Sequence, residues 1–384
     1  MINRLNLKII GSGPTGALLS IALSKLDFNI FLTDLLNREQ LINKDKTYAI
    51  THSTRRILQK FSLWQKLKPY LYGFDTLSIS DSVTSVFTNL SISDLDQDIS
   101  SENNIGWVIK HSDLMNVFFN EIDNHDNISF KSSQKLSKEK ILVDYQFIST
   151  GANSIDKNIL KFFEFKKSYN QSCLTFKVLV RGNSERRAYE IFRKEGPLAL
   201  LPLDHNLYQI IWTSSTPKSI DRLNSDKNFL MDNLSSILPE NFKLDQMVGD
   251  VNVFPVSLSL NFPVMNSKNF LFVGDSFHTF HPVGGQGLNT CWRDVNCLFD
   301  ILNTNSFLTK DNLKLLKFNY LFSRFIDILI TIVITDTLIK IFSNNNFIFF
   351  PIRKFSFFLL NKFVFIRKIV LNHMTKSLAF STIK

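Results

Sequence analysis

Cysteine is scarce in this chain, with three in 384 residues: Cys173, Cys291 and Cys297. Their spacing matches no metal-ligand pattern and forms no even framework. A disulfide scaffold and a zinc module are therefore not expected, and a reduced cytosolic compartment is the plain reading. No run of 18 apolar residues occurs, so no membrane-spanning helix is expected. The opening MINRLNLKIIGSG has a short apolar core that runs straight into a glycine turn, unlike a secretory signal. Acidic residues stop at Asp336. From Thr337 onward there is no Asp or Glu, while Lys340, Arg353, Lys354, Lys362, Arg367, Lys368, Lys376 and Lys384 stand among many Phe and Ile. This local asymmetry says more than the net charge of +10. No nucleic-acid recognition motif accompanies it, so nucleic acid is not an expected partner.

Glycine is also sparse, 13 in all, and two segments concentrate it. The first is Gly11-Ser12-Gly13-Pro14-Thr15-Gly16. It lies between an apolar run expected to be a strand (Leu7 to Ile10) and a segment expected to be a helix (Ala17 to Leu26). A second expected strand, Asn29 to Thr33, ends at Asp34. In such a βαβ start the first glycine permits a tight turn, the second lets backbone N–H groups approach a pyrophosphate, and the third lets helix and strand pack closely. The helix N-terminus favours the anion, and an acidic residue about 20 positions on is placed for a ribose hydroxyl. The bland alternatives are a structural glycine turn and a turn-forming Asp. Dinucleotide binding is the better reading.

The second segment is Gly274 to Asn289, GDSFHTFHPVGGQGLN. It follows the apolar strand candidate Phe270 to Val273. Gly284, Gly285 and Gly287 would leave backbone amides bare, and a helix starting near Leu288 would aim its N-terminus at whatever sits there. Such donors stabilise a redox ring that gains negative charge. His278 and His281 are three apart with no third ligand nearby, so a packing role beside the cofactor is favoured over a metal site.

Elsewhere the pattern predicts an amphipathic helix over Thr54 to Leu67, a strand region over Thr76 to Ile92, and a surface loop over Ser93 to Asn104. A helix over Asp113 to Ile122 is predicted with Ser112 or Asp113 as its cap, and a strand over Ile141 to Thr150. Strand-like runs from Ser172 to Val251 suggest a sheet-based second domain. Helices dominate after Leu288. Trp212 is a pocket candidate, with a core tryptophan as the blander reading.

At this point the residues resemble a family. GDSFHTFHPVGGQGLN followed by Arg293-Asp294 is similar to the flavin-contacting segment of class A FAD-dependent aromatic hydroxylases, in the branch of ubiquinone-biosynthesis (polyprenylphenol) hydroxylases. Asp45 to Trp64, Gly196 to Thr213 and Phe254 to Phe262 resemble the same branch. The resemblance implies an α/β fold. A discontinuous Rossmann-like FAD-binding domain (residues 1–75, 101–168 and 263–320) would hold an inserted β-sheet substrate domain (76–100 and 169–262), followed by a helical basic and apolar region (321–384).

It also implies roles. Gly11, Gly13, Pro14, Thr15 and Gly16 would hold the FAD pyrophosphate, and Asp34 the adenosine ribose. Lys46 lies in a segment that contacts FAD. Gly274 and Asp275 would serve the ribitol side, and Pro282, Gly285, Gly287, Leu288 and Asn289 the isoalloxazine ring. In the family NAD(P)H reduces FAD, and reduced flavin takes O2 to a C4a-hydroperoxide that transfers one oxygen to an electron-rich ring. Two departures stand out. Lys46 replaces the usual Arg, which keeps the charge and loses the bidentate fork. Thr150, in Ser149-Thr150-Gly151-Ala152-Asn153-Ser154, replaces the Asp of a motif tied to FAD and pyridine nucleotide.

The expected function is hydroxylation of a polyprenylated phenol on the route to ubiquinone. The alternatives are another flavin oxidoreductase on this scaffold, such as a prenyl reductase, or a flavin-binding accessory subunit of a membrane biosynthetic complex. The expected partners are the polyprenyl phenol, O2, other ubiquinone-biosynthesis proteins and the membrane surface. The expected location is cytoplasmic and peripheral, on the inner face of the cytoplasmic membrane. Leu321 to Leu371, which mixes apolar runs with isolated positive charges, would lie on anionic lipid or else cap the FAD domain as an ordinary helical layer.

Overall fold

The computed structural model describes residues 4–97, 102–132, 143–152, 162–182, 185–239, 242–264, 269–304 and 313–376. Asn153, Ser154, Lys384 and part of the Ser93 to Asn104 loop lie outside them.

Three sheets organise the chain. The first is parallel, with strands in the order Phe270–Phe272, Tyr145–Ile148, Leu5–Ile10, Phe28–Asp34 and Ile128–Ser132. Every second residue of Leu5–Ile10 is buried, and the helices Pro14–Ser24, His111–Asp123 and Gln286–Leu302 pack around this sheet. Apolar cover of this kind is what a parallel sheet requires. The second sheet is small and antiparallel: Thr47–Ile50, Gly106–Lys110 and Tyr72–Phe74.

The third sheet has eight strands in the order His278–Thr279, Lys243–Pro263, Phe162–Arg181, Leu207–Ser215, Leu198–Pro202, Arg187–Phe192, Thr76–Asp81 and Val86–Ser91. Its faces have different occupants. Leu174, Phe176, Tyr208, Ile210 and Trp212 are buried with Leu230, Leu234 and Phe242, under the helices Thr216–Leu223 and Lys227–Ser235. The alternate residues look toward the first domain. Gln209 meets the Thr47 hydroxyl at 3.1 Å, Lys177 pairs with Asp45, and Phe254 lies 5.4 Å from the Lys46 ammonium.

Three local expectations need adjusting. Thr54 to Leu67 forms two helices, His52–Lys60 and Trp64–Leu67, because Ser62 turns to a positive φ of 62° and breaks the run. The helix expected from Asp113 starts at His111 after Lys110, so Ser112 and Asp113 are inside its first turn and not its cap. Its first N–H is satisfied by tertiary contact, His111 donating to the Lys46 carbonyl at 2.8 Å. Phe162–Arg181 and Lys243–Pro263 pair over their whole length. The domain boundary placed at 168/169 therefore falls inside a strand.

The C-terminal helices Leu313–Phe342, Phe350–Lys362 and Val364–Lys376 are docked on one side. Ile339, Phe342 and Phe357 are buried against Phe192 and Val283. Arg353 is fully buried, donates to the carbonyls of Ile341 and Asn344 at 2.8 Å each, and stands 3.6 Å from Asp81. On the long helix the usual amphipathic sense is inverted. Arg324, Asp327 and Thr331 face inward, while Phe318, Phe322, Phe325, Leu329 and Val333, spaced at helical period, are exposed. No helix among the described residues is long and apolar enough to cross a membrane.

Arg353→Met should expose the importance of this docking. It leaves the Ile341 and Asn344 carbonyls without their donor and takes the cation away from the buried Asp81 carboxylate, and removing one partner of a buried pair costs about 3–5 kcal/mol. Urea unfolding should show a matching drop in midpoint, and an unchanged midpoint would mean that the C-terminal helices contribute little to the fold.

Candidate cofactor cleft

The two glycine-rich segments, far apart in sequence, meet across one cleft of about 570 Å³. Gly11, Gly13, Pro14, Thr15, Asp34, Lys46, Asp275, Gly287 and Leu288 line it, together with Lys44, Tyr48, His111, Thr150 and Gly151. The glycines have distinct duties. Gly11 has φ 102°, and a Cβ there would meet the Ser149 backbone at 2.5 Å; a Cβ on Gly16 would meet the Gly11 carbonyl oxygen at 1.8 Å. These two permit the close packing of turn, helix and neighbouring strand. Gly13 and Gly287 differ. A Cβ on either meets no protein atom within 4 Å, and both residues line the cleft. The room their missing side chains leave is room for a ligand held close to backbone N–H groups. These residues fit a dinucleotide.

Asp34 ends its strand with its carboxylate already oriented. One oxygen accepts from Ser12 N–H at 2.7 Å and the other from Leu36 N–H at 2.9 Å. Lys44 stands near it; burial lowers the Lys44 pKa while Asp34 opposes the shift. Lys46 lines the cleft. Thr150, at the position where the resembled family has Asp, is 3.5 Å from the Ser276 hydroxyl, which accepts from Gly151 N–H at 3.0 Å.

Sequence reasoning missed Tyr48 and His111. The Tyr48 hydroxyl is 2.8 Å from His111 Nδ1, and His111 Nε2 is 2.7 Å from the Leu41 carbonyl. A carbonyl can only accept, so Nε2 carries the proton and Nδ1 accepts from the tyrosine. Burial, with Lys44 and Lys46 adding to it, pushes the imidazole pKa down to about 4. Burial, with Asp275 nearby, raises that of Tyr48. The pair stays neutral and fixes the direction of one hydroxyl on the cleft wall. The two residues are 63 apart and belong to neighbouring strands of the small sheet and the helix that follows. No local motif announces them.

The second glycine segment is held from beneath. Asp294 is fully buried and accepts from Gly274 N–H at 3.0 Å, from His278 Nε2 at 2.8 Å and from Arg324 Nε at 2.6 Å. Burial alone would raise its pKa; His278 and Arg324 outweigh that and hold the carboxyl below the usual range. Both histidines of the motif have partners within the protein, His278 through Nε2 alone. His281 Nδ1 accepts from Val283 N–H at 3.2 Å and its Nε2 faces the Gln171 side-chain oxygen at 3.2 Å.

Asn289 is placed differently from the expectation. Its side chain does not line the cleft: it is fully buried, accepting from Thr51 N–H and the hydroxyls of Thr51 and Thr54, and donating to the carbonyls of Ala49 and Gly285. With all its polar capacity spent on the chain, it clamps the glycine segment to residues 49–54. Gly16, Gly274, Pro282 and Gly285 also lie outside the cleft lining, in the turns that shape it. A Cβ on Gly274 would strike the Thr15 side chain at 2.8 Å, so this glycine lets the two segments touch.

Above the segment, the large sheet presents Glu190. This carboxylate is hydrogen-bonded to the Gly284 backbone N–H, and burial pushes its pKa up to about 7. It shares a face with Ala199 and Ile211, its neighbours across the ladder. Trp212 is on the opposite face, in the helix-covered core.

Comparison with known proteins agrees with this geometry. A family model described as an FAD binding domain matches residues 158–306. The chain is 30% identical over 157 residues to the 3-demethoxyubiquinol 3-hydroxylase of Escherichia coli, covering 40% of this chain and 38% of that one. It is 23% identical over 388 residues to a mitochondrial ubiquinone biosynthesis monooxygenase of Dictyostelium discoideum, covering 82% and 78%. Among solved structures, the p-nitrophenol 4-monooxygenase of Pseudomonas putida superposes with a TM-score of 0.74 at 13% identity, over 98% of this chain and 99% of that one. The chain is an FAD-dependent monooxygenase. It is similar to class A flavin hydroxylases and, among them, to the ubiquinone hydroxylases.

Gly16→Ala should abolish flavin retention, because its Cβ has no space against the Gly11 carbonyl; the ratio of visible flavin absorbance to protein absorbance checks this, and a normal ratio would contradict the packing role. Glu190 makes a second prediction. Its folded pKa lies above that of an unfolded Glu, so the unfolded chain gives up its proton first and stability falls as pH rises from about 4.3 toward 7. Glu190→Gln should therefore raise the denaturation midpoint at pH 8, by on the order of 1–3 kcal/mol, and give no gain below about pH 4. An equal effect at both pH values would mean that the carboxyl is not held neutral by the fold.

Proposed function

We propose that the chain hydroxylates the aromatic head of a polyprenylated phenol in ubiquinone biosynthesis. The observation that carries this reading is the cleft itself, lined by residues of both glycine segments. The names of the relatives support the substrate class.

Gly11, Gly13 and Gly16 would bring backbone N–H groups and the N-terminus of helix Pro14–Ser24 to the FAD pyrophosphate. Asp34, pre-oriented by Ser12 and Leu36, would take the adenosine ribose, and Asp275 the ribitol. Gly287 and Leu288 would lie against the isoalloxazine, where the start of helix Gln286–Leu302 stabilises negative charge on the ring. Bound FAD supplies the redox chemistry, reduction by NAD(P)H and activation of O2. The protein's part is to orient ring and substrate and to exclude water. Glu190 would accept the phenolic proton, a carboxyl whose pKa burial raises to about 7 being suited to act as a base at neutral pH.

A second reading, a flavin-binding accessory subunit, draws on Thr150, which puts a neutral hydroxyl where the resembled family has a carboxylate. The two readings separate by experiment. The purified protein should show a flavin spectrum that bleaches anaerobically with NADH or NADPH, and should hydroxylate a short-chain polyprenylphenol with one oxygen atom from O2. Bound flavin that neither nucleotide reduces, with or without the phenol, favours the accessory subunit. Glu190→Gln should lower kcat and flatten the acidic limb of its pH profile.

The membrane is part of the proposal. Besides the exposed stripe Phe318, Phe322, Phe325, Leu329 and Val333, the following helices expose Phe355, Phe358, Phe365 and Ile369, and their sequence carries Lys354, Lys362 and Lys368. Apolar area with lysine beside it, on helices that carry no acidic residue after Asp336, suits an anionic bilayer surface. The docked inner side of these helices means that truncation would disturb the core, so surface substitutions are the better probe. Co-flotation with vesicles containing anionic lipid should be strong in the parent, weak with purely zwitterionic vesicles, and largely lost in Phe322→Ser/Phe325→Ser. Flotation unchanged by the double substitution would show that this stripe is not the contact.

A further inference from the structure

On the helix-covered face of the large sheet, away from the cofactor cleft, lies a second hollow of about 510 Å³. It shares no lining residue with the cleft. Its chemistry is unusual for the back of a sheet. The Trp212 ring carries two guanidiniums, with Arg222 4.2 Å and Arg193 5.4 Å from its centroid. Trp212 is 1% exposed and Arg193 7%. Glu195 is the carboxylate in the lining, and it is shared three ways: Arg193 Nη2 donates to it at 3.1 Å, Arg222 Nη2 at 2.8 Å and Lys218 Nζ at 2.7 Å. Lys194 also lines the hollow. Four cations thus gather around one anion.

Charge imbalance alone would describe many surfaces. The donors left over are what distinguish this place. After Glu195 is satisfied, Arg193 Nη1, Arg222 Nη1 and Trp212 Nε1 are buried with no acceptor. Leaving a buried donor unpaired costs about 1–3 kcal/mol, more when it is charged. Folded proteins keep such groups rare. Three of them in three residues that touch one another and line one hollow mean that the protein lacks an acceptor there which a ligand can bring. Each of the three is a donor, and two belong to guanidinium forks whose geometry matches a carboxylate or phosphate oxygen pair. Hollows of several hundred Å³ hold small organic molecules, so an oxyanion would fill only part of the space.

We propose that this hollow is a second ligand site, which binds a small molecule through its phosphate or carboxylate group, the oxyanion accepting from Arg193 Nη1, Arg222 Nη1 and Trp212 Nε1. The backbone of strand Leu207–Ser215 connects the site to the cofactor side, since Ile211 and Thr213, on either side of Trp212, point to the other face. The ligand therefore sits across one sheet from the residues that contact Thr47 and Gly284, where it can adjust their strands without entering the cleft.

The test uses the full chain with its flavin. Inorganic phosphate and malonate, each titrated at constant ionic strength, serve as the phosphate and carboxylate probes. Thermal midpoint and tryptophan fluorescence are read, Trp212 being one of four tryptophans. A saturable response is expected, and the stronger probe identifies the ligand's anionic group. Arg222→Lys keeps a charge and loses the fork; Trp212→Phe keeps a stacking ring and loses the N–H. Each should weaken binding by about tenfold or more, the change that corresponds to loss of one good hydrogen bond of about 1.4 kcal/mol, with the flavin spectrum unchanged as proof of an intact fold. Absence of a saturable response to either anion, or equal affinity in the parent and both variants, overturns the proposal.

Discussion

The buried carboxylate of Asp294 is the interaction on which half of the cleft depends. It holds the Gly274 N–H, the His278 ring and the Arg324 guanidinium at once. Arg324 in turn reaches Asp327 at 2.7 Å, and Asp327 receives Arg293 at 2.8 Å. Charges this deep are tolerated only as a fully paired set. Because Gly274 begins the second glycine segment and Arg324 sits on the long C-terminal helix, the pairing makes that helix part of the cofactor scaffold. It also explains the helix's inverted character. Its polar side is committed to the interior, and its apolar side is what remains for the outside.

The large sheet divides labour between its faces. One faces the first domain with Gln209, Phe254 and Glu190, residues of mixed polarity that contact Thr47, Lys46 and Gly284. The other is an apolar core under two helices, interrupted at one end by Trp212 and its arginines. The alternation of side chains along each strand enforces the separation. Neighbouring residues on Leu207–Ser215 therefore serve opposite compartments while sharing one backbone.

The parts of this architecture that were legible in the sequence are those where backbone geometry restricts residue choice. Gly11, Gly13 and Gly16 could be read because a turn, an open approach and a close packing each exclude a side chain. Asp34 could be read because chain length in a βαβ unit fixes its distance from the turn. Tyr48, His111 and Glu190 were not legible: they come together by sheet register and helix placement, and nothing adjacent in the chain marks them. Asn289 shows a different limit. The resemblance put it against the flavin ring, whereas its side chain is turned into the chain by Thr51 and Thr54, more than 230 residues earlier. Ser62 breaks an otherwise convincing amphipathic pattern through one backbone angle that periodicity does not see. Trp212, for which a core position was the plainer reading and a pocket the alternative, is buried in the helix-covered core and also lines a hollow apart from the cleft.

The strand order of the parallel sheet sets a timetable for synthesis. Leu5–Ile10 lies in the middle, with Phe28–Asp34 on one side and Tyr145–Ile148 on the other, and Phe270–Phe272 forms the far edge. A chain leaving the ribosome can pair its first two strands at once. The next strand, Ile128–Ser132, arrives beside Phe28–Asp34 only after a long stretch of other structure; Tyr145–Ile148 follows it, and the edge strand Phe270–Phe272 comes later still. Pairings between distant segments form slowly and leave apolar edges uncovered meanwhile. Asp294 and Arg324 are later again in the chain. The flavin cleft is thus completed only when most of the protein has been made, and the first βαβ unit must wait, half covered, for the segments that turn it into a binding site.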